Sequence, residues 1–225
     1  MPKTAASIIL GASLALSAPC NPCTLAEPPA QPDGKGGMGT PTGPKVQTLK
    51  ALGLAYTSLS RGADFAVAAA EKADAEKLAG VASLFRAMAR VQQIHAGLMN
   101  AQIAALGAAA AIDPESKPIP VGQTAANLAS ALKLLSALKE TDLPAWRRAC
   151  DDEGNRDAVR AIRWAREGTI ELARFFKDAG PAGEALKGGK HDYYVSRTCG
   201  FIVEKLDIQK CPVCGKGPDD FQKVN

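Results

Sequence analysis

The chain has 225 residues, enough for one main domain and a small second one, and 46% of them are hydrophobic, so it can bury a core. Aromatic residues make up only 5% and alanine is abundant, which favours packed helices over a sheet. The formal net charge of +4 arises from interspersed acids and bases, so we expect no binding to nucleic acid.

The N-terminus has the layout of an export signal. Lys3 precedes an apolar stretch of about a dozen residues that ends in small residues, and such a stretch is too short to span a bilayer comfortably. We therefore predict that residues 1–26 are a signal peptide and that the protein is exported, to the periplasm or outside the cell. Cys20 leaves open a lipoprotein signal, in which case a lipid anchors the protein to a membrane. Cys20 and Cys23 could also form a disulfide.

The next part of the chain is predicted to be helical after a linker. Residues 27–47 are rich in proline and glycine and are predicted to be a linker. Helical periodicity then predicts four helices, at residues 49–72, from the connection at 74–78 to about 106, 124–139 and 156–178. Three prolines in residues 113–120 predict an extended crossover, and Pro144 predicts a kink or a restart after the third helix.

Two helical hairpins joined by a crossover make a ferritin-like four-helix bundle. We assign residues 48–180 to this bundle, 181–190 to a second linker and 191–225 to a small cysteine-containing domain. The aromatic residues Trp146, Trp164, Phe175 and Phe176 are expected to anchor the core or a dimer face. Cys150 is expected to be a small buried hydrophobic residue.

The C-terminal domain carries three of the six cysteines. Cys211-Pro-Val-Cys214 followed by Gly215 has the spacing of a metal knuckle, in which two thiolates bind one ion and the glycine allows the turn. Cys199 followed by Gly200 has the form of the second half of a matching knuckle.

Ser196 stands where the first cysteine of that other knuckle would be. We predict one iron or zinc ion held by Cys199, Cys211 and Cys214, with Ser196 as a weak fourth ligand. Water or His191 could fill the fourth position instead. In an exported protein, a disulfide between Cys211 and Cys214 competes with metal binding.

The cysteine domain resembles the C-terminal rubredoxin-like domain of rubrerythrins, in which a Tyr-Val-Cys-x-x-Cys-Gly run leads to Lys-Cys-Pro-Val-Cys-Gly. The matching residues are Tyr194, Val195, Cys199, Gly200, Phe201, Ile202, Val203, Glu204, Lys210, Cys211, Pro212, Val213, Cys214 and Gly215. Residues 55–60, 84–87 and 94–96 match the family's first hairpin without gaps. The resemblance implies a mainly α fold, a ferritin-like four-helix bundle with a small rubredoxin-like domain of short β hairpins.

The resemblance also implies a non-haem iron oxidoreductase, in which the rubredoxin-like centre passes electrons to a di-iron site that reduces hydrogen peroxide. Of the positions where the family has carboxylate and histidine ligands, His95 alone keeps the expected residue type. The other positions carry Leu59, Gln92, Leu135, Leu138, Thr141, Thr169 and Leu172. A slip of one residue would bring Glu171 inward. We predict no di-iron centre and interpret His95 and Gln92 as its remnant, because leucines fill the volume and avoid unpaired buried carboxylates.

Three functions remain open at this point. The favoured one is an exported protein without peroxidase activity, a binding or structural module that keeps one metal at the knuckle. The alternatives are a single-centre electron-transfer protein and an active iron peroxidase. A homodimer is implied by the resemblance, and an unknown protein or redox partner is expected.

Overall fold

The computed structural model describes residues 45–225. The predicted signal peptide, Cys20, Cys23 and most of the first linker lie outside this part of the chain. The helices within it are α1 (Val46–Ala75), α2 (Ala79–Ala105), α3 (Thr124–Ala137), α4 (Leu143–Asp152) and α5 (Arg156–Asp178). The strands are β1 (Tyr193–Ser196), β2 (Ile202–Val203) and β3 (Phe221–Val224). The predicted mainly α fold with a small C-terminal sheet is confirmed.

The first hairpin packs α1 against α2 along alanine-rich faces. Ala55, Ala66 and Ala69 are fully buried, which lets the two backbones approach closely. Helix α1 begins at Val46, slightly before the predicted bundle start at residue 48. The cause is Glu153, whose two carboxylate oxygens accept hydrogen bonds from the N–H groups of Gln47 (2.9 Å) and Thr48 (2.8 Å) and so satisfy two free donors of the first turn.

The predicted extended crossover is confirmed at residues 106–123, where the chain runs without a helix or strand. Two polar contacts fasten it to α1. The N–H of Asp113 donates to Thr57 Oγ1 (3.1 Å), and Arg61 Nη2 donates to the carbonyl of Ser116 (2.9 Å). These bonds satisfy backbone groups that prolines keep out of regular structure.

The second hairpin changes its helical form just before Pro144, where the sequence predicted a kink or a restart. A π-helical turn at Leu138–Asp142 joins α3 to α4 without a break in the helical backbone, and Pro144 in the first turn of α4 contributes no N–H donor. The carbonyl of Lys139 in the π-helical turn accepts a hydrogen bond from Arg166 Nε (3.0 Å). Asn155 caps α5 by accepting a hydrogen bond from the N–H of Ala158 (3.1 Å). The second hairpin is thus α3 and α4 in series, packed against α5.

The C-terminal domain is a three-stranded antiparallel sheet with β1 between β2 and β3. Ser196 at the end of β1 lies opposite Phe221 at the start of β3. The sheet packs on the bundle through a T-shaped contact between Phe175 and Tyr193, whose ring centroids are 5.5 Å apart. The predicted linker before it contains a short 3₁₀ turn at Glu184–Leu186.

Three core clusters lie within residues 45–225. One lies in the bundle around Phe65, Phe85 and Phe176 and continues into the sheet. A second surrounds Leu59, Leu138 and Ile162 in the bundle and contains the fully buried Cys150, as predicted. The third joins Cys199, Cys211 and Phe221 and is partly covered by Trp164, so this tryptophan anchors the cysteine domain. Within residues 45–225 no helix is both long and apolar enough to cross a bilayer.

Candidate metal centre

Two matching backbone turns form the cysteine site, the first knuckle at residues 196–200 and the second knuckle at residues 211–215. In the first, the N–H of Gly200 donates to the carbonyl of Ser196, and in the second the N–H of Gly215 donates to the carbonyl of Cys211, both at 2.9 Å. Gly200 and Gly215 have φ angles of 73° and 76°, a left-handed conformation that glycine adopts without strain. The two turns are therefore equivalent in backbone, and they differ in one ligand atom.

The three cysteine sulfurs of the two knuckles converge. The sulfurs of Cys199, Cys211 and Cys214 all lie within 4.8 Å of one another, and Cys199 Sγ is 3.6 Å from Cys211 Sγ. Tetrahedral zinc with Zn–S bonds of about 2.3 Å needs sulfurs roughly 3.8 Å apart. Cys199 and Cys211 are buried and Cys214 is half-buried. The predicted thiolate ligands are thus brought together with the spacing that one zinc or iron ion requires.

Ser196 supplies an oxygen beside this triangle of sulfurs. Its side chain is fully buried, and its Oγ lies 3.3 Å from Cys199 Sγ and 3.7 Å from Cys214 Sγ. The N–H of Cys199 donates to this oxygen (3.2 Å), as knuckle N–H groups do to thiolate ligands. His191, the other proposed fourth ligand, packs against the start of α2 near Gly80 and is not part of the sulfur cluster.

Asp220 is a neighbour of this site that the sequence did not reveal. Ser196 Oγ donates to Asp220 Oδ2 at 2.6 Å, and Thr198 Oγ1 donates to Asp220 Oδ1 at 2.8 Å. Asp220 follows the second knuckle in sequence and is carried back to the first by the pairing of β3 with β1. The signal that could have found it is Ser196 itself, because a buried hydroxyl requires an acceptor.

Burial governs the protonation of the sulfurs. Removal from water raises the pKa of the Cys199 thiol far above its ordinary value, and it raises the pKa of Cys211 as well. Both groups are therefore thiols at neutral pH in the absence of a cation, and a metal ion must displace their protons when it binds. The three cysteine sulfurs could hold one metal ion, and Ser196 Oγ lies beside them.

His95 links the bundle to the first knuckle. Its ring is fully buried on α2, and Nε2 lies 3.2 Å from the carbonyl oxygen of Cys199. Burial lowers the pKa of His95 to about 4, although the Cys199 carbonyl acts in the opposite direction. The imidazole is therefore neutral at pH 7, with the proton on Nε2 so that it can donate to the carbonyl. Gly168 and Gly200 leave the room that the ring occupies.

Gln92 lies one helical turn before His95 and is also buried, but neither its amide oxygen nor its amide nitrogen has a hydrogen-bond partner. The amide points at α1, where the absence of a side chain at Gly62 makes room for it. His95 instead faces α5 and the first knuckle. The two residues predicted as a remnant pair thus share a helix but contact different neighbours.

The other positions implied by the resemblance are occupied mainly by core residues. Leu59, Leu135, Leu138 and Leu172 are all fully buried. Thr169 is buried and donates its hydroxyl to the carbonyl of Ala165 (2.7 Å). Within residues 45–225, the one group of three or more His, Cys, Asp and Glu side chains close enough to share a metal ion is the cysteine cluster.

Two positions considered from the resemblance do not face the bundle interior. Thr141, which aligns with an acidic position of the family, is exposed on the π-helical turn, whose extra residue per turn shifts the register. Glu171 does not turn inward on α5. It is half-exposed and pairs with Arg174 at 3.0 Å, while its neighbour Leu172 fills the core.

The family model described as rubrerythrin matches residues 50–179. The chain belongs to the rubrerythrin family. Three similar solved structures are nigerythrin in its fully reduced (all-ferrous), mixed-valence and partially reduced states. Each is 24% identical to this chain and covers 85% of it and 90% of its own length, with TM-scores of 0.66, 0.66 and 0.68. At this identity the likeness shows a shared fold. No curated protein sequence matches the chain.

The unpartnered amide of Gln92 predicts a stabilising substitution in this rubrerythrin-family bundle. Gln92→Met should raise the free energy of unfolding by about 1–2 kcal/mol, because the thioether keeps the length of the side chain and removes two buried polar atoms that lack partners. Chemical denaturation measures the change. Gln93→Met is the matched control, since Gln93 is exposed and its replacement should change stability little. A loss of stability in Gln92→Met would contradict the prediction.

Proposed function

We propose that this rubrerythrin-family protein binds one iron or zinc ion at its C-terminal knuckles and acts as a binding or structural module without peroxidase activity. The observation that carries the proposal is the convergence of three cysteine sulfurs and Ser196 Oγ on one point. Metal bound there cross-links the two knuckles and stabilises a domain whose own core is small.

The proposed lack of a di-iron centre rests on the bundle interior. A di-iron site needs several carboxylates and two histidines that face one another between the helices. The buried residues at the corresponding positions are four leucines, Gln92, His95 and Thr169, which offer one imidazole and no carboxylate. On this proposal leucine contacts replace the metal as the source of stability between the helices.

A single-centre electron-transfer protein is the second candidate. It is favoured by Cys214, which is half-buried and so places one edge of a bound ion near solvent, where a redox partner can approach. The nigerythrin structures are described in several oxidation states, which makes iron a reasonable occupant here as well. A red protein that is reversibly reduced would support this function, and a colourless zinc-loaded protein would exclude it.

The proposal is tested by a peroxide assay on protein reconstituted with excess ferrous iron under anaerobic conditions. We expect no hydrogen peroxide-dependent oxidation of a reductant above that of the protein without iron. Turnover of peroxide that follows the iron content would instead establish the active peroxidase that the family resemblance implied. Comparison of Cys211→Ala with its control Cys150→Ala separates peroxide turnover at the knuckles from turnover in the bundle.

We also propose that the protein is exported and forms a homodimer. Export is supported by the layout of residues 1–18, and a homodimer is supported by family membership. The mass of the mature protein recovered outside the cytoplasm tests cleavage and lipidation at Cys20. Sedimentation of that protein tests the dimer.

A further inference from the structure

We propose that Asp220 is a positioning residue of the metal site and that the Ser196–Asp220 pair replaces the missing fourth thiolate in geometry and in charge. This inference rests on the proposed metal binding at the knuckles. It assigns a role to a residue outside the knuckle sequences.

The hydrogen bond between the two residues has the geometry of a strong one. Ser196 Oγ and Asp220 Oδ2 are 2.6 Å apart, within the range of charge-assisted O–H···O⁻ bonds. Ser196 is fully buried and Asp220 is partly exposed, so the carboxylate reaches inward from the edge of the domain. Its other oxygen is held by Thr198 Oγ1, which fixes the orientation of the carboxylate.

This bond determines where the serine lone pairs point. A hydroxyl has one proton and two lone pairs, and here the proton is directed to Asp220. One lone pair accepts the N–H of Cys199, and the other accepts the thiol of Cys199 (3.3 Å), whose proton a metal ion would displace. Asp220 therefore orients the oxygen as a donor toward the centre of the cluster. Outer hydrogen bonds of this kind make a ligand more basic and fix its direction.

The pair also restores charge. Four thiolates carry four negative charges, whereas three thiolates and a neutral hydroxyl carry three. The Asp220 carboxylate, which contacts the fourth donor directly, returns the total to four. A divalent ion at the knuckles thus meets nearly the same surrounding charge as in a four-cysteine site, although one of its donors is oxygen.

A double-mutant cycle tests the inference, with zinc affinity measured by competition against a chromophoric chelator. Asp220→Asn removes the negative charge, although its amide oxygen can still accept one hydrogen bond. It should weaken zinc binding about 10–100-fold in the protein with Ser196, the usual cost of altering a residue that hydrogen-bonds to a metal ligand. In the Ser196→Cys background the same change should leave affinity unchanged or tighten it, because the carboxylate then faces a thiolate. Asp219→Asn, an exposed neighbour, should have no effect.

A purely structural role for Asp220 gives a different pattern. Asp220→Asn would then lower zinc affinity equally in both backgrounds. That result overturns the inference. If Asp220→Asn alone does not fold, Ser196→Cys is compared with the double variant, and weaker binding by the double variant overturns it. A wild-type protein that binds neither zinc nor cobalt refutes the proposed function itself.

Discussion

Cys211→Ala should abolish tight metal binding. The substitution removes one of three converging sulfurs, and Cys211 Sγ lies 3.6 Å from Cys199 Sγ, so its loss opens the centre of the cluster. We expect zinc affinity to fall by more than the roughly 10–100-fold that loss of a neighbouring hydrogen bond costs, because a direct ligand is removed. The thermal stabilisation by zinc should disappear with it. Zinc titration against a competing chelator and thermal unfolding with and without zinc measure both effects.

Cys150→Ala is the matched control for this substitution. Cys150 is also buried, but it lies in the bundle core, where desolvation raises the pKa of its thiol to about 11. The same chemical change there should leave zinc affinity unaltered and lower the stability of the bundle slightly. Equal zinc binding by Cys211→Ala and the wild-type protein would contradict the assignment of the cluster as a metal site.

Acid should destabilise the metal-free protein through His95. Its pKa is about 4 in the folded protein and ordinary, near 6.5, in the unfolded chain, so between these values the unfolded state binds more protons. Stability is therefore fully present above about pH 6.5 and is lost as the pH falls toward 4. The loss at pH 4 is about 3 kcal/mol, at roughly 1.4 kcal/mol for each pKa unit.

The test is chemical denaturation at several pH values, with the metal removed by a chelator. His95→Gln is the informative variant, since an amide can still donate to the Cys199 carbonyl but does not titrate. Its stability should vary less between pH 6.5 and 4 than that of the wild-type protein. Carboxyl groups with lowered pKa, such as Glu153 and Asp192, contribute equally to both proteins. Identical pH profiles would contradict a buried neutral His95.

Much of the fold follows from local sequence signals. The four predicted helices have strong apolar periodicity, which predicts them from the sequence alone. Proline restricts the backbone locally, so the prolines of residues 113–120 predict the crossover and Pro144 predicts the change after α3. The position of Thr141 was not readable, because a π-helical turn changes the register without a distinctive residue. Nor was the early start of α1, which depends on Glu153, a residue distant in sequence.

Some residues of the metal site can be identified from the sequence, and others cannot. Knuckle spacing identifies Cys199, Cys211, Cys214 and Ser196, since each turn is local and its glycine marks it. Asp220 reaches Ser196 only because β3 pairs with β1, and the contact of His95 with Cys199 depends on how the sheet packs on α2. Such contacts arise from tertiary packing, which the sequence pattern does not specify.

The most direct test is the metal content and absorption spectrum of anaerobically purified protein. We expect one zinc or iron ion per chain, which is lost in Cys211→Ala and retained in Cys150→Ala. If the ion is iron, its absorption should be that of a thiolate-ligated centre. About three iron ions per chain, or iron that persists in Cys211→Ala, would contradict a single metal site at the knuckles, because both results indicate a metal site inside the bundle.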